Sequence, residues 1–117
     1  MVGVQHYVPA QGDFIWLMFT PQARHEQGGR RPALVLSPTA YNRRVGLLLC
    51  CPITNHVKGY PFEVVLPEGL IVTGAILADQ IKSLDWRVRQ AARIAAAPPE
   101  IIDEVMQKLH TLLPFVP

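Results

Sequence analysis

Short apolar stretches recur along the chain and are separated by proline, glycine and polar residues, a pattern typical of proteins built mainly from β-strands. Five stretches have the length and composition of strands: Asp13–Phe19, Pro32–Ser37, Gly46–Thr54, Phe62–Pro67 and Gly74–Ile81. The third is apolar throughout and is therefore predicted to be the central strand. Pro32 is expected to open the second strand, because proline cannot donate a hydrogen bond within a sheet.

The end of the chain has helical periodicity instead. Pro98 and Pro99 stop the preceding segment and favour a first helical turn, and apolar residues then recur every three or four positions as far as Leu113. The segment Ser83–Ala96 is ambiguous, because its alanines suit a helix and its aromatic and β-branched residues suit a strand; we favour a strand. Five or six short strands and one late amphipathic helix predict a mainly β protein with α, folded as a small, strongly bent barrel.

The composition fits a single folded domain over residues 1–117. Of the 117 residues, 50% are hydrophobic and 17% are charged, which is enough apolar surface for a core and too little charge for a disordered chain. The net charge of +2 permits a polyanionic partner without requiring one. No stretch resembles a signal peptide or a membrane span, so the cytoplasm is the expected location.

Neither the cysteines nor the histidines follow a pattern that binds metal. Cys50 and Cys51 are adjacent, so on a strand their side chains point to opposite faces, and they lack CxxC spacing. We interpret them as two small core residues. The 4 histidines lack HExxH spacing. The sequence therefore predicts neither a metal ion nor a cofactor.

Two polar loops at the ends of predicted strands are the candidates for chemistry. The first, Arg24–Arg31, combines Glu26 with two glycines and with arginines whose planar guanidinium groups fit phosphate oxygens. The second, Thr54–Gly59, supplies a hydroxyl, an amide, an imidazole and an ammonium group, and together the loops could hold a phosphodiester. Glu26 would then orient Arg31 or act as a base toward a ribose 2′-OH. The alternative for each loop is an exposed turn with solvated charges.

A histidine pair is a second hypothesis for the acid and the base. His25 and His56 lie one on each loop, and two histidines can exchange protons with a phosphodiester that is being cleaved. The simpler hypothesis is that both residues only help to bind the ligand.

Four longer motifs follow one another along the chain: YVPAQGDFIWLMF, EQGGRRPALVLSPTAYN, CPITNHVKGYPFEVVL and ILADQIKSLDWR. Together they extend from Tyr7 to Arg89 and resemble the MazF/PemK toxins of bacterial toxin–antitoxin pairs. The segments GRRPALVLS, which fits the pattern GxRPALVLS, and ADQIKSLDWR are the most specific to that family. The resemblance implies an SH3-like barrel of the CcdB/PemK type with a C-terminal amphipathic helix, assembled as a homodimer.

The resemblance also implies an activity. Toxins of this family are sequence-specific endoribonucleases that cut single-stranded RNA, chiefly mRNA, and arrest growth. They need no metal, and the substrate's own 2′-OH attacks the phosphate to leave a 2′,3′-cyclic phosphate and a 5′-OH end. The implied protein partner is a MazE-like antitoxin whose acidic, flexible tail blocks the RNA groove. An ACA-like sequence is the default expectation for the cleavage site.

The functional residues of the family fall on three positions of this chain. Arg31 would contact the scissile phosphate and stabilise the transition state, with proton donation as its second possible role, because an arginine stays protonated near neutral pH and is a poor base. Thr54 would hold a phosphate oxygen, and Glu26 would be the base or the residue that orients Arg31. The further RNA-binding residues that the resemblance implies are Gly28, Gly29, Arg30, Asn55, His56, Lys58, Gln80 and Lys82.

The chain differs from the family pattern in the strand after Trp16, at Arg30 and at Asn55, and these differences bear on the cleavage sequence rather than on the reaction. Two rival classes of function are a toxin on the same barrel that binds DNA gyrase and a non-catalytic barrel that binds RNA or peptide. The gyrase-binding toxin would not need Arg31 and Thr54 in one place. Substitution of Arg31 by alanine would separate these classes, because an enzyme would lose rate by orders of magnitude while folding normally and a binder would lose at most moderate affinity.

Overall fold

The computed structural model describes residues 7–20 and 29–116. Within these residues the chain forms strands and helices in the order β1 (Asp13–Met18), β2 (Arg30–Val35), α1 (Thr39–Val45), β3 (Leu47–Thr54), β4 (Glu63–Val65), β5 (Ala75–Leu77), β6 (Lys82–Asp85), β7 (Ala92–Ala96) and α2 (Pro99–Leu112).

The strands form one antiparallel sheet in the order β4-β5-β3-β2-β1-β7, and β6 pairs with the other half of β3. The central position of β3 is confirmed, since it pairs with three other strands. Among the strands described, β4 and β7 lie at the two ends of this order and do not pair with each other, so the barrel is open. The predicted class, mainly β with a C-terminal amphipathic helix, is confirmed.

Two apolar clusters lie on opposite faces of the sheet. The first contains Phe14, Cys51 and the buried face of α2, and the second contains Ile15, Cys50 and Trp86. The prediction for the cysteines is confirmed, because both are free and buried and they belong to different clusters. Burial raises the pKa of each thiol to about 12, so neither is a reactive thiolate near neutral pH.

The predicted helix after Pro98 is confirmed as α2. Pro99 occupies the first turn, where its missing N–H is not needed, and Glu100 is favourably placed against the helix dipole. Ile101, Val105 and Leu109 follow at intervals of four residues and are buried in the first cluster. No helix in the described ranges is long and apolar enough to cross a membrane.

The short helix α1 is fixed to the sheet by one buried amide. The Asn42 side chain donates hydrogen bonds to the carbonyls of Pro9 (2.8 Å) and Ser37 (3.1 Å). It also accepts one from the Ser37 hydroxyl at 2.5 Å, and that hydroxyl accepts the N–H of Leu49. Trp86 Nε1 donates to the Asn42 carbonyl at 2.9 Å. This network joins the chain before β1, the end of β2, β3 and the residue after β6.

The later strands differ in length from the predictions. The predicted strand Phe62–Pro67 is shorter, Glu63–Val65, and the predicted strand Gly74–Ile81 is Ala75–Leu77. The strand interpretation of Ser83–Ala96 is confirmed at the two ends of the segment, where residues 83–85 belong to β6 and residues 92–96 form β7, and is wrong for residues 86–91, which are not strand. The turn between them begins at Asp85, whose side chain accepts the N–H groups of two residues that follow it.

Candidate functional site

Strand β2 begins earlier than the sequence suggested. The prediction that Pro32 opens this strand is wrong, and so is the assignment of Arg30 and Arg31 to a loop, because β2 starts at Arg30. In the β1–β2 ladder Phe19 N–H donates to the Gly29 carbonyl at 2.7 Å. Hydrogen-bonded and non-hydrogen-bonded pairs alternate along an antiparallel ladder, and the bond at Phe19 makes Trp16↔Pro32 a non-hydrogen-bonded pair. The backbone nitrogen of Pro32 therefore points away from β1, and its missing N–H removes no hydrogen bond to that strand.

On its other side β2 stops pairing with β3 at the same proline. The β2–β3 ladder runs from Val35↔Cys50 to Ala33↔Pro52 and does not include Pro32. If the register continued by two residues, it would place Arg31 opposite Thr54. These two residues therefore lie on strand ends that are neighbours but no longer joined by the ladder, which leaves room between them.

A cleft of about 360 Å³ fills that room. Its lining residues are Trp16, Arg30, Arg31, Pro32, Ile53, Thr54, Asn55, His56, Ile71, Val72, Thr73 and Ile94. The structure thus brings together five of the predicted site residues, from both of the suspected segments. The cleft has a cationic side supplied by β2 and a hydroxyl and amide side supplied by the end of β3.

The two arginines at the cleft have different surroundings. The Arg30 guanidinium lies over the Trp16 ring, 4.9 Å from its centroid, which holds it by a cation–π contact. Arg31 is exposed. Within the described part of the chain, no carboxylate is within ion-pair distance of either guanidinium. Among the described residues, neither charge is neutralised by an ion pair, and both guanidinium groups border the cleft.

On the opposite side, Thr54 is arranged to donate a hydrogen bond. Its hydroxyl oxygen accepts the backbone N–H of His56 at 3.0 Å, so the hydroxyl proton is left for a ligand. The neighbouring Asn55 accepts a hydrogen bond from the Thr73 hydroxyl at 3.1 Å. Close approach of these segments needs Gly74, which has a φ of +107° and whose Cβ, if present, would lie 2.1 Å from the Thr54 carbonyl oxygen.

A second cleft, of about 220 Å³, lies next to the first. It is lined by Thr54, His56, Lys58, Tyr60, Glu63, Leu77, Asp79 and Gln80. Thr54 and His56 line both clefts, so they stand on the wall between them. An extended ligand that crosses this wall would contact Arg31 in one cleft and Lys58 and Gln80 in the other.

Some predicted site residues are not part of this arrangement. Lys82 is exposed on β6, opposite Cys50 in the ladder, and lines neither cleft. Gly29 is buried, and a Cβ there would lie 2.7 Å from Thr20 Cβ, so close packing explains this glycine. Glu26 and Gly28 lie outside the described residues, as does His25, and the roles predicted for them stay predictions.

Sequence reasoning missed several residues that shape the clefts. Trp16 is one, because β1 is covered on both faces and its apolar run gives no sign of which residue reaches a ligand. Thr73 and Glu63 are others; a polar residue in a turn and a lone glutamate carry no motif. The glycine at position 74 was the available signal for a close backbone approach. Among residues 7–20 and 29–116, no three potential metal ligands cluster.

Comparison with known proteins gives consistent matches over nearly the whole chain. Residues 10–113 match the family described as PemK-like, MazF-like toxin of type II toxin–antitoxin system. The chain is 47% identical over 110 residues to the endoribonuclease toxin MazF of Escherichia coli strain K12, across 94% of this chain and 98% of that protein. The crystal structure of MazF from Deinococcus radiodurans is 58% identical with a TM-score of 0.85, across 94% of this chain and 100% of that one. A chain in a MazE–MazF crystal structure from the same organism is 52% identical, also with a TM-score of 0.85, across 95% of this chain and 100% of that one.

Proposed function

This chain belongs to the PemK-like, MazF-like toxins of type II toxin–antitoxin systems, and we propose that it is an endoribonuclease that cuts single-stranded RNA at a phosphate held between Arg31 and Thr54. The observation that carries the proposal is the position of these two residues on neighbouring strand ends that do not pair with each other and that line one cleft. A guanidinium on one side and a hydroxyl proton on the other match the oxygens of a phosphodiester.

The proposed reaction uses the substrate's own nucleophile. The ribose 2′-OH loses its proton and its oxygen attacks the adjacent phosphorus, while the bond to the 5′-oxygen of the next nucleotide breaks and that oxygen gains a proton. The products are a 2′,3′-cyclic phosphate and a 5′-OH end. Arg31 would stabilise the charge that develops on the phosphate oxygens, and Thr54 would donate a hydrogen bond to one of them. Glu26 is the candidate base.

The RNA strand would cross the wall formed by Thr54 and His56, so that nucleotides on the two sides of the cut occupy the two clefts. Lys58 and Gln80 in the second cleft would contact the strand on one side, and Arg30 on the other. Recognition of unstacked bases by edge hydrogen bonds and stacking would give a preferred sequence. Asn55 and Arg30 border the proposed path of the RNA strand and are the residues expected to determine which sequence is preferred.

The proposed function includes two protein partners and a location. A MazE-like antitoxin with an acidic tail would cover the cationic cleft, as charge complementarity favours; the Deinococcus radiodurans relative has been crystallised with MazE. The chain would act as a homodimer. Cleavage of mRNA in the cytoplasm would inhibit translation and arrest growth until the antitoxin is restored.

Antitoxin-free protein is expected to cut a long single-stranded RNA at discrete sites in buffer containing EDTA, because Arg31 and Thr54 supply the interactions that the phosphate needs. The ends identify the chemistry: 5′ ends that a kinase labels directly, and 3′ ends that accept a poly(A) tail only after removal of the cyclic phosphate. A duplex of the same sequence should stay intact. Intact single-stranded RNA after incubation with folded protein would contradict the proposal and favour a gyrase-binding or purely binding role.

Thr54→Val is expected to lower kcat about 100-fold, because it removes the hydroxyl proton that would reach the phosphate and leaves the shape of the side chain unchanged. Thr54→Ser restores the hydroxyl and should retain most of the activity. The measurement is single-turnover cleavage of a short RNA that contains one mapped site. Equal rates for the valine and serine variants would show that the hydroxyl takes no part in the reaction.

A further inference from the structure

The second cleft contains a carboxylate whose charge is wrong for a surface that binds RNA. Glu63 opens β4 and is only 8% exposed, yet it lines the cleft beside Lys58 and Gln80. In the part of the chain that the structure describes, no lysine or arginine nitrogen is within ion-pair distance of it. A buried charge without a cationic partner requires strong hydrogen bonds.

Those hydrogen bonds come from the backbone of the loop that precedes β4. The N–H of Lys58 lies 3.1 Å from both carboxylate oxygens of Glu63, and the N–H of Gly59 lies 2.8 Å from one of them. Gly59 has a φ of +83°, a left-handed conformation that glycine adopts without the strain that a side chain would add. The backbone N–H of Glu63 donates in turn to the Tyr60 carbonyl at 3.0 Å.

The contacts close a ring around a segment that has no other regular structure. Residues 55–60 form neither strand nor helix and are exposed, so few packing contacts constrain their conformation. This segment carries His56 on the wall between the clefts and Lys58 within the second cleft. The Lys58 ammonium also lies over the Tyr60 ring, 5.8 Å from its centroid. The Glu63 carboxylate therefore determines where the cationic part of the loop stands.

We propose that Glu63 is a positioning residue, whose carboxylate holds the 55–60 loop so that Lys58 meets the backbone of the bound RNA strand. The inference rests on the proposed function and assigns a role within the same site. It makes a prediction with a distinctive sign. Loss of a negative charge from an RNA-binding cleft would by electrostatics alone strengthen RNA binding, whereas loss of the loop anchor weakens it.

The test compares Glu63→Gln and Glu63→Asp with the wild type in RNA cleavage. Glutamine keeps the length of the side chain but lacks the charge that both N–H groups share, and aspartate keeps the charge but is one methylene too short to reach them. Both are expected to raise KM about 5- to 20-fold while kcat changes less than about 3-fold. The matched control is Glu68→Gln, an exposed carboxylate in the turn after β4, which should leave KM unchanged or lower it slightly.

Two further measurements separate positioning from general loss of structure. The slope of log KM against log salt should decrease by about 0.7 in Glu63→Gln, as for one lost phosphate contact, and by no more than that in Glu63→Gln combined with Lys58→Ala. Amide exchange at residues 58 and 59 should accelerate in both Glu63 variants, with the exchange of α2 unchanged.

Unchanged or tighter RNA binding by folded Glu63→Gln and Glu63→Asp would overturn the inference, as would unchanged amide exchange at residues 58 and 59. An additional KM increase of the same size in the Lys58→Ala background would also overturn it, because the effect would then not act through Lys58. Failure of the wild type to cut RNA would instead contradict the proposed function, and the exchange measurement would still report on the anchor itself.

Discussion

Arg31→Ala is expected to reduce the rate of RNA cleavage by about 10² to 10³-fold while the protein folds normally. The guanidinium is exposed at the cleft, so its loss removes little packing, and surface substitutions of this kind change stability by only about 0.5 kcal/mol. In the transition state, however, the phosphate oxygens gain charge that Arg31 would stabilise with charge-assisted hydrogen bonds, and removal of one such donor costs about 10² to 10³ in kcat.

Arg30→Ala is the matched control, because it removes the same charge one residue away. Arg30 is held over the Trp16 ring and would contact the strand away from the scissile phosphate, so the expected effect is mainly a higher KM, with kcat reduced less than about tenfold. Arg31→Lys should be intermediate, since a lysine keeps the charge and loses the planar fork. Single-turnover rates measured over a range of protein concentrations separate the two parameters. Equal losses of kcat in the two alanine variants would mean that only net charge matters at this cleft.

The accuracy of the sequence predictions follows from how each element is stabilised. Strands β1 and β3 and helix α2 bury apolar side chains. A run of apolar residues in the strands, or apolar residues four positions apart in the helix, indicates that burial directly in the sequence. The start of β2 has no such apolar pattern, because its first two residues are exposed arginines. Arg30 and Arg31 belong to the strand through backbone pairing with β1 alone, and their side chains border the cleft, so charge and a nearby proline suggested a loop.

The candidate site was only partly predictable for a related reason. Local patterns picked out both polar segments, but what brings Arg31 level with Thr54 is the register of the β2–β3 ladder, which depends on pairing across the sheet. The burial of Glu63 was invisible because its partners are backbone N–H groups. Which residue accepts the proton of the 2′-OH also does not follow from these patterns, and Glu26 stays a prediction.

Asn42→Ala is expected to lower the free energy of unfolding by roughly 3–5 kcal/mol, a large effect for a single polar side chain. Asn42 is fully buried, and the substitution removes its hydrogen bonds with the Pro9 carbonyl and with the carbonyl and hydroxyl of Ser37. Those groups would remain buried without partners, at a cost of about 1–3 kcal/mol for each one that finds no water.

Thermal and urea unfolding of Asn42→Ala measure this cost, and the melting temperature should fall by about 10–25 °C. Arg44→Ala, an exposed substitution on the same helix, provides the control and should change stability by less than about 0.5 kcal/mol. The cleft is built by other residues, so Asn42→Ala protein that is still folded at low temperature should cut RNA at nearly the normal rate. A loss of stability below about 1 kcal/mol would mean that water replaces the amide, since hydrated carbonyls carry little penalty. A loss of cleavage in folded protein would mean that the network transmits its geometry to β2 and β3, which Ser37 and Leu49 join to α1.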